Sequence, residues 1–237
     1  MKFGSLFAGI GGIDLGLERV GMTCCWQVEI DPFARSVLAK HWPDIPRFND
    51  IREFPQADGD LQVDLICGGF PCVDISSLGL RTGIVGNEDG SGLWVEMHRV
   101  IRVLRPRFTI VENVADVTFR GLDRVLGDLA ESGYDAAWQC VPAGALGAGH
   151  IRDRLFVLGV DRNADSRNES ALKAFSEGDI ISTGRSCAEA WRESESRMDR
   201  IADGVPNRMD RFRCLGNAVV PQVAEYIGKR LMDAVFK

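Results

Sequence analysis

Gly4-Ser5-Leu6-Phe7-Ala8-Gly9-Ile10-Gly11-Gly12-Ile13-Asp14-Leu15-Gly16-Leu17-Glu18-Arg19-Val20-Gly21 joins an apolar, strand-like run to an amphipathic helix through a glycine-rich turn. Glycine has no Cβ, so such a turn can bend tightly and bring backbone N–H groups close to a ligand at the helix N-terminus. The same alternation continues downstream. Apolar runs at Cys24 to Val28, Val63 to Cys67, Phe108 to Val111 and Leu155 to Val160 bracket stretches with helical spacing. Leu93 to Leu104 carries Trp94, Met97, Val100, Ile101 and Leu104 before Pro106 stops it, and Leu122, Val125, Leu126 and Leu129 precede Gly133. Strands regularly separated by helices require crossovers, which predicts an α/β fold with a doubly wound, mostly parallel sheet.

From Asn163 to Arg213 the pattern fails, because Ser, Arg, Glu, Asp and Asn dominate and no strand-like stretch exceeds Ile180-Ile181. Periodicity returns at Val219, Val220, Val223, Ile227, Leu231 and Val235. The expected organisation is a main domain over 1–160, a small irregular lobe over 161–212, and a helix within 213–237 that returns to the main domain. A chain of 237 residues with 45% apolar content can bury one large core.

Seven cysteines, at 24, 25, 67, 72, 140, 187 and 214, form no Cys-x-x-Cys pair, and the three histidines stand far apart at 41, 98 and 150. Neither a zinc site nor a disulfide framework is expected, which leaves each thiol available as a nucleophile. A net charge of −6 argues against a protein that coats nucleic acid by global attraction. A local basic cleft remains open: Arg152, Arg154 and Arg162 are close in sequence, and Arg185 to Arg213 form a second group whose interleaved acids fit a solvated surface equally well. No run of about eighteen apolar residues occurs, and Met1 to Leu6 leads into strand-like sequence without a cleavable signal. The expectation is a cytoplasmic protein with no membrane partner.

Several side chains have positions that suit chemistry. A dinucleotide-binding fingerprint would want a third glycine where Asp14 stands, so the glycine turn by itself does not select a nicotinamide cofactor. Glu29, ending a strand, could accept hydrogen bonds from ribose hydroxyls, and Asp50 could reach an adenine amino group or simply cap a helix. Gly68-Gly69-Phe70-Pro71-Cys72 follows an apolar strand, which puts Cys72 at the carboxyl edge where open α/β sheets bind ligands. A lone cysteine is usually a small buried hydrophobe; here Pro71 fixes the backbone ahead of it, and Gly79, Gly83, Gly86, Gly90 and Gly92 suit a loop that closes over a substrate. Glu112-Asn113-Val114 ends a neighbouring strand, where the structural alternative is a capping acid. Alternation in Ile151 to Val157 would point Arg152 and Arg154 to one face and Leu155 and Val157 to the other. Cys214 to Pro221 precedes the last helix, and Asn217 could be its N-cap.

Taken in order, Phe7 to Gly12, Phe70 to Cys72, Glu112 to Val114, Arg152 to Arg154 and Gly216 to Val219 resemble the motifs of the cytosine-C5 DNA methyltransferases. The likeness covers residues 3–160 and 213–236. It implies a Rossmann-like fold that uses S-adenosylmethionine, leaves S-adenosylhomocysteine and needs no metal. The chemistry fits the residues, because cytosine C5 is a poor nucleophile until a thiolate adds to C6 and a proton reaches N3. The resemblance assigns Cys72 as nucleophile and Glu112 as proton donor. Arg154 would contact the base, Arg152 would brace the nucleophile loop, and Asn113 completes the catalytic set. It assigns the donor pocket to Phe7, Ala8, Gly9, Gly11, Gly12, Glu29, Ile30, Asp50, Ile51, Pro71, Leu93, Asn217 and Ala218.

The implied substrate is a cytosine flipped out of double-stranded DNA, since the target carbon is out of reach inside the stack. A bacterial or phage-encoded monomer of the restriction-modification type is expected. Two positions depart from the family pattern, Val73 where glutamine is common and His150 where glutamine often heads the Arg-x-Arg element; after the Gly-Asn pair, where the family has serine or alanine, this chain has Ala218. The lobe is also short, and Asp203 to Arg211 looks like the tail of phage- or prophage-type members. Any recognition sequence should therefore be short, and a partner for recognition stays open. Three rivals remain: an RNA cytosine-C5 methyltransferase of the same fold, a nicotinamide-dependent oxidoreductase, and a non-catalytic DNA-binding relative.

Overall fold

The computed structural model describes residues 1–55, 61–71, 93–119, 121–150, 152–164, 168–176 and 207–236. Cys72, the glycine-rich tract after it, Ile180-Ile181 and the stretch from Asp203 to Pro206 lie outside the described residues. In chain order the strands are β1 (Lys2–Leu6), β2 (Thr23–Val28), β3 (Arg47–Phe48), β4 (Leu65–Gly69), β5 (Phe108–Val114), β6 (Tyr134–Pro142) and β7 (Asp153–Asp161). The helices are α1 (Gly12–Arg19), α2 (Pro32–His41), α3 (Leu93–Leu104), α4 (Leu122–Glu131), α5 (Asn168–Ser176), α6 (Arg208–Asn217) and α7 (Pro221–Phe236).

These strands form a single sheet of order β3-β2-β1-β4-β5-β7-β6. From β3 to β5 every pairing is parallel, whereas β7 runs antiparallel to both β5 and β6. The expected doubly wound, mostly parallel sheet is therefore present, with an antiparallel edge. That edge follows from connection length: residues 143–152 are too few for a crossover helix, so β6 and β7 pair directly. β6 escapes the hydrophobic pattern because Asp135, Ala136, Ala137 and Gln139 dilute it. It is held by its ladder with β7 and by buried Tyr134, whose hydroxyl donates to the Pro106 carbonyl at 2.7 Å.

Successive strand residues enter opposite cores, as the pleat dictates. Ile66, Val111, Leu155 and Val157 face α3 and α4, while Leu65, Cys67, Ile110, Phe156 and Leu158 face the layer containing α1, α5 and α7. α5 brings Ala171 and Phe175 into this second core, so residues 168–176 pack as part of the main body. The boundary expected at 212/213 falls inside α6. Asp14, fully buried on α1, accepts from Ser5 of β1 at 3.0 Å and from Gln27 of β2 at 2.8 Å. The residue that spoils a dinucleotide fingerprint thus cross-links the helix to two strands. Among the described residues, no helix is long and apolar enough to cross a membrane.

Candidate active site

Strand order reverses between β1 and β4, so the loops leaving their carboxyl ends diverge and open a crevice, the usual ligand position in such sheets. A cavity of about 640 Å³ lies there, walled by the ends of β1, β2, β4 and β5 and closed by residues 213–219. Phe7, leaving β1, has φ of 51°, a conformation that costs an aromatic residue energy and turns the chain sharply. Gly9 follows at φ 57°, and nothing lies within 4 Å of where its Cβ would be.

The three predicted glycines divide their labour. Gly9 faces open space, but a Cβ on Gly12 would stand 2.2 Å from the Val219 carbonyl and one on Gly11 would enter the Trp42 ring. Gly12 serves the junction with the start of α7 while still lining the cavity; Gly11 is not on the cavity wall. Glu29 is held by two backbone donors, Gly9 N–H to Oε2 at 2.7 Å and Asp31 N–H to Oε1 at 2.8 Å. Each oxygen keeps further acceptor capacity toward the cavity it lines. Asp50 is indeed a cap, accepting from Arg52 N–H at 2.9 Å at the head of the 3₁₀ turn Ile51–Glu53, and it also lines the cavity. Ala8, Ile30, Ile51, Pro71 and Leu93 also line the cavity.

At the other end stands Glu112, 7% exposed, on β5. Because β7 is antiparallel, its first residues lie beside the last residues of β5, and Arg154 Nε reaches Glu112 Oε1 at 3.0 Å. Burial pushes the Glu112 carboxyl up to about 7, against the opposing pull of Arg154 and Arg152. Near neutrality the group is therefore poised to give or hold a proton. Gly69 is Glu112's register partner on β4, and a Cβ there would stand 2.2 Å from Glu112 Oε2. Asn113, also buried, donates from Nδ2 to the Phe70 carbonyl at 3.1 Å and so fixes the backbone leading to Pro71. Cys72 itself is outside the described residues.

Two expectations change here. Arg152 precedes β7 with φ of 38°, so strand alternation does not govern it. Its Nη2 donates to the carbonyls of Gly216 and Ala218, at 2.7 and 2.6 Å, bracing the segment that carries Asn217. Asn217 is the last residue of α6 and does not cap the final helix, which begins at Pro221. Asn217 and Ala218 both line the cavity. Ile13, Asp31, Arg213 and Cys214 line it too and were given no place in the pocket from sequence. Arg213 of α6 pairs with Asp31, the N-cap of α2, at 2.5 Å across the cavity. Asp31 before Pro32 is a readable helix start, but its pairing with a residue so distant in the chain is not.

The family model for C-5 cytosine-specific DNA methylase matches residues 1–199. Type II methyltransferase M2.BsuMI of Bacillus subtilis (strain 168) is 35% identical over 167 residues, covering 67% of this chain and 41% of that protein. Type II methyltransferase M.CviJI of Paramecium bursaria Chlorella virus IL3A is 34% identical over 159 residues, covering 67% and 42%. The chain thus spans about two fifths of the length of these relatives. Among solved structures, an E. coli protein described as a DNA modification methyltransferase encoded within a prophage superposes over 100% of both chains with a TM-score of 0.69 at 19% identity, a likeness of fold.

Proposed function

Because this chain belongs to the C-5 cytosine-specific DNA methylase family, we propose that it methylates C5 of a cytosine flipped out of double-stranded DNA, with S-adenosylmethionine as donor and S-adenosylhomocysteine as product. The observation that carries this reading is the buried Glu112–Arg154 pair at one end of a cavity whose other end holds Glu29 and Asp50.

The cavity residues fit the donor. Its volume of about 640 Å³ lies in the range of small-ligand sites. Gly9 leaves room for close backbone approach, Glu29 and Asp50 offer acceptors for ribose and adenine, and Phe7, Ile30, Ile51 and Leu93 offer apolar walls. Pro71, Asn217 and Ala218 complete it. When bound, S-adenosylmethionine supplies an electrophilic methyl group.

The chain's residues then have these roles. Cys72 adds as thiolate to C6 while Glu112 gives its proton to N3, so the ring's electron density reaches C5. After methylation a base takes the C5 proton and the Cys72 thiolate leaves. Arg154 holds Glu112 in place and orients the base. Arg152 steadies the Asn217 segment, and Asn113 steadies the approach to Cys72. Cys72→Ser is expected to abolish methyl incorporation into DNA while donor binding persists; undiminished transfer would overturn the assignment. Sequencing 5-methylcytosine in DNA and RNA of a cell expressing the protein tests the substrate, and methyl marks confined to RNA would replace DNA by RNA.

A further inference from the structure

Arg99, on α3, is given no role above and does not line the cavity, yet it reaches the cavity's donor end through backbone. Its Nη2 donates to the Ile51 carbonyl at 2.6 Å and to the Phe54 carbonyl at 2.5 Å, while its Nε pairs with Glu96 at 2.7 Å. The two carbonyls belong to a single 3₁₀ turn and its exit, headed by Asp50. One such turn is a weak structure by itself: its Ile51 carbonyl accepts from Phe54 N–H at 3.1 Å, and the Phe54 carbonyl already lies past its end. Ile51 is 3% exposed and lines the cavity together with Asp50. Phe54 is anchored from the far side by Trp26 and Phe48, each ring 4.8 Å away.

We propose that Arg99 is a positioning residue for the methyl donor, holding Asp50 and Ile51 in place against its adenosine end through the Ile51 and Phe54 carbonyls. The inference rests on the cavity being the donor site. Glu96 fixes the guanidinium so that one nitrogen meets both carbonyls, a geometry a lysine ammonium on a shorter reach cannot match in full.

The test is calorimetric titration of S-adenosylhomocysteine and of 5′-methylthioadenosine, which keeps adenine and ribose but lacks the amino-acid end. It uses the wild-type chain and the variants Arg99→Ala, Arg99→Lys, Asp50→Ala and Arg99→Ala/Asp50→Ala, each with its melting curve. Wild-type binding of S-adenosylhomocysteine is the control for the site itself, and its failure would remove that reading rather than the role of Arg99. Given that binding, Arg99→Ala should weaken both ligands about tenfold, with Arg99→Lys intermediate. In the Asp50→Ala background the further loss should shrink to about twofold, because both substitutions act on one turn. Turnover at saturating donor should stay near wild type. Unchanged affinity, a loss confined to S-adenosylhomocysteine, or full additivity with Asp50→Ala would each overturn the proposal. Where Arg99→Ala does not fold, Arg99→Lys carries the same comparison.

Discussion

Gly69→Ala isolates the placement of Glu112 without touching a reacting group. Gly69 faces Glu112 across the β4–β5 ladder, and its φ is outside the left-handed region, so alanine adds no backbone strain. The new Cβ would stand 2.2 Å from Glu112 Oε2, whereas ordinary contact begins near 3.4 Å. The carboxyl must therefore retreat by about 1 Å in a close-packed site. It is 7% exposed and tied to Arg154 at 3.0 Å, so it cannot retreat without stretching that pair or changing rotamer. A misplacement of about 1 Å can cost a reaction roughly a hundredfold, or about 2.7 kcal/mol in the barrier. Methyl incorporation into DNA, measured at saturating donor and substrate, should fall by that factor. S-adenosylhomocysteine affinity should stay within about threefold and the melting temperature within a few degrees. Turnover within about threefold of wild type would refute the claim that Glu112 acts from the position seen here.

Arg152→Met leaves the Gly216 and Ala218 carbonyls without their donor, and donor affinity by calorimetry should fall about tenfold. Gly12→Ala forces a Cβ to 2.2 Å from the Val219 carbonyl, so thermal denaturation should show a loss on the order of 2–4 kcal/mol. Gly9→Ala, with open space around it, should cost only about 1 kcal/mol from its φ and act instead on donor affinity. The Glu112 carboxyl is raised to about 7, so its stabilising contribution is complete below the ordinary carboxylate value and is lost as pH rises toward neutrality. Glu112→Gln, expected to be inactive in transfer, should thus be more stable than wild type at pH 8 by on the order of 1–3 kcal/mol, with the gap closing near pH 5; a gap independent of pH would contradict the burial argument.

Much of the sheet could be read from sequence because parallel strands buried on both faces are continuous apolar runs, as in Leu65 to Cys67 and Phe108 to Val111. The α1, α3, α4 and α7 helices were legible from their spacing and from Gly21, Pro106 and Gly133 as stops. β6 was not, since an edge strand with Asp135 and Gln139 owes its existence to the ladder with β7. α5 was not either: Ala171 and Phe175 make a weak stripe whose meaning depends on α7 being beside it.

The order of the motifs identifies the family and names the residue types that its chemistry needs, because side-chain chemistry and strand or helix periodicity are local properties. Sequence also places Glu112 at a strand end. What only the tertiary structure decides is how each residue is used. The antiparallel course of β7 brings Arg154 to Glu112, a left-handed turn sends Arg152 to the Gly216–Ala218 segment, and the register of β4 on β5 makes Gly69 the space in which the Glu112 carboxyl sits. The physical reason is that these are contacts between chain segments far apart in sequence: burial and register set their distances, and with them the proton affinity of Glu112.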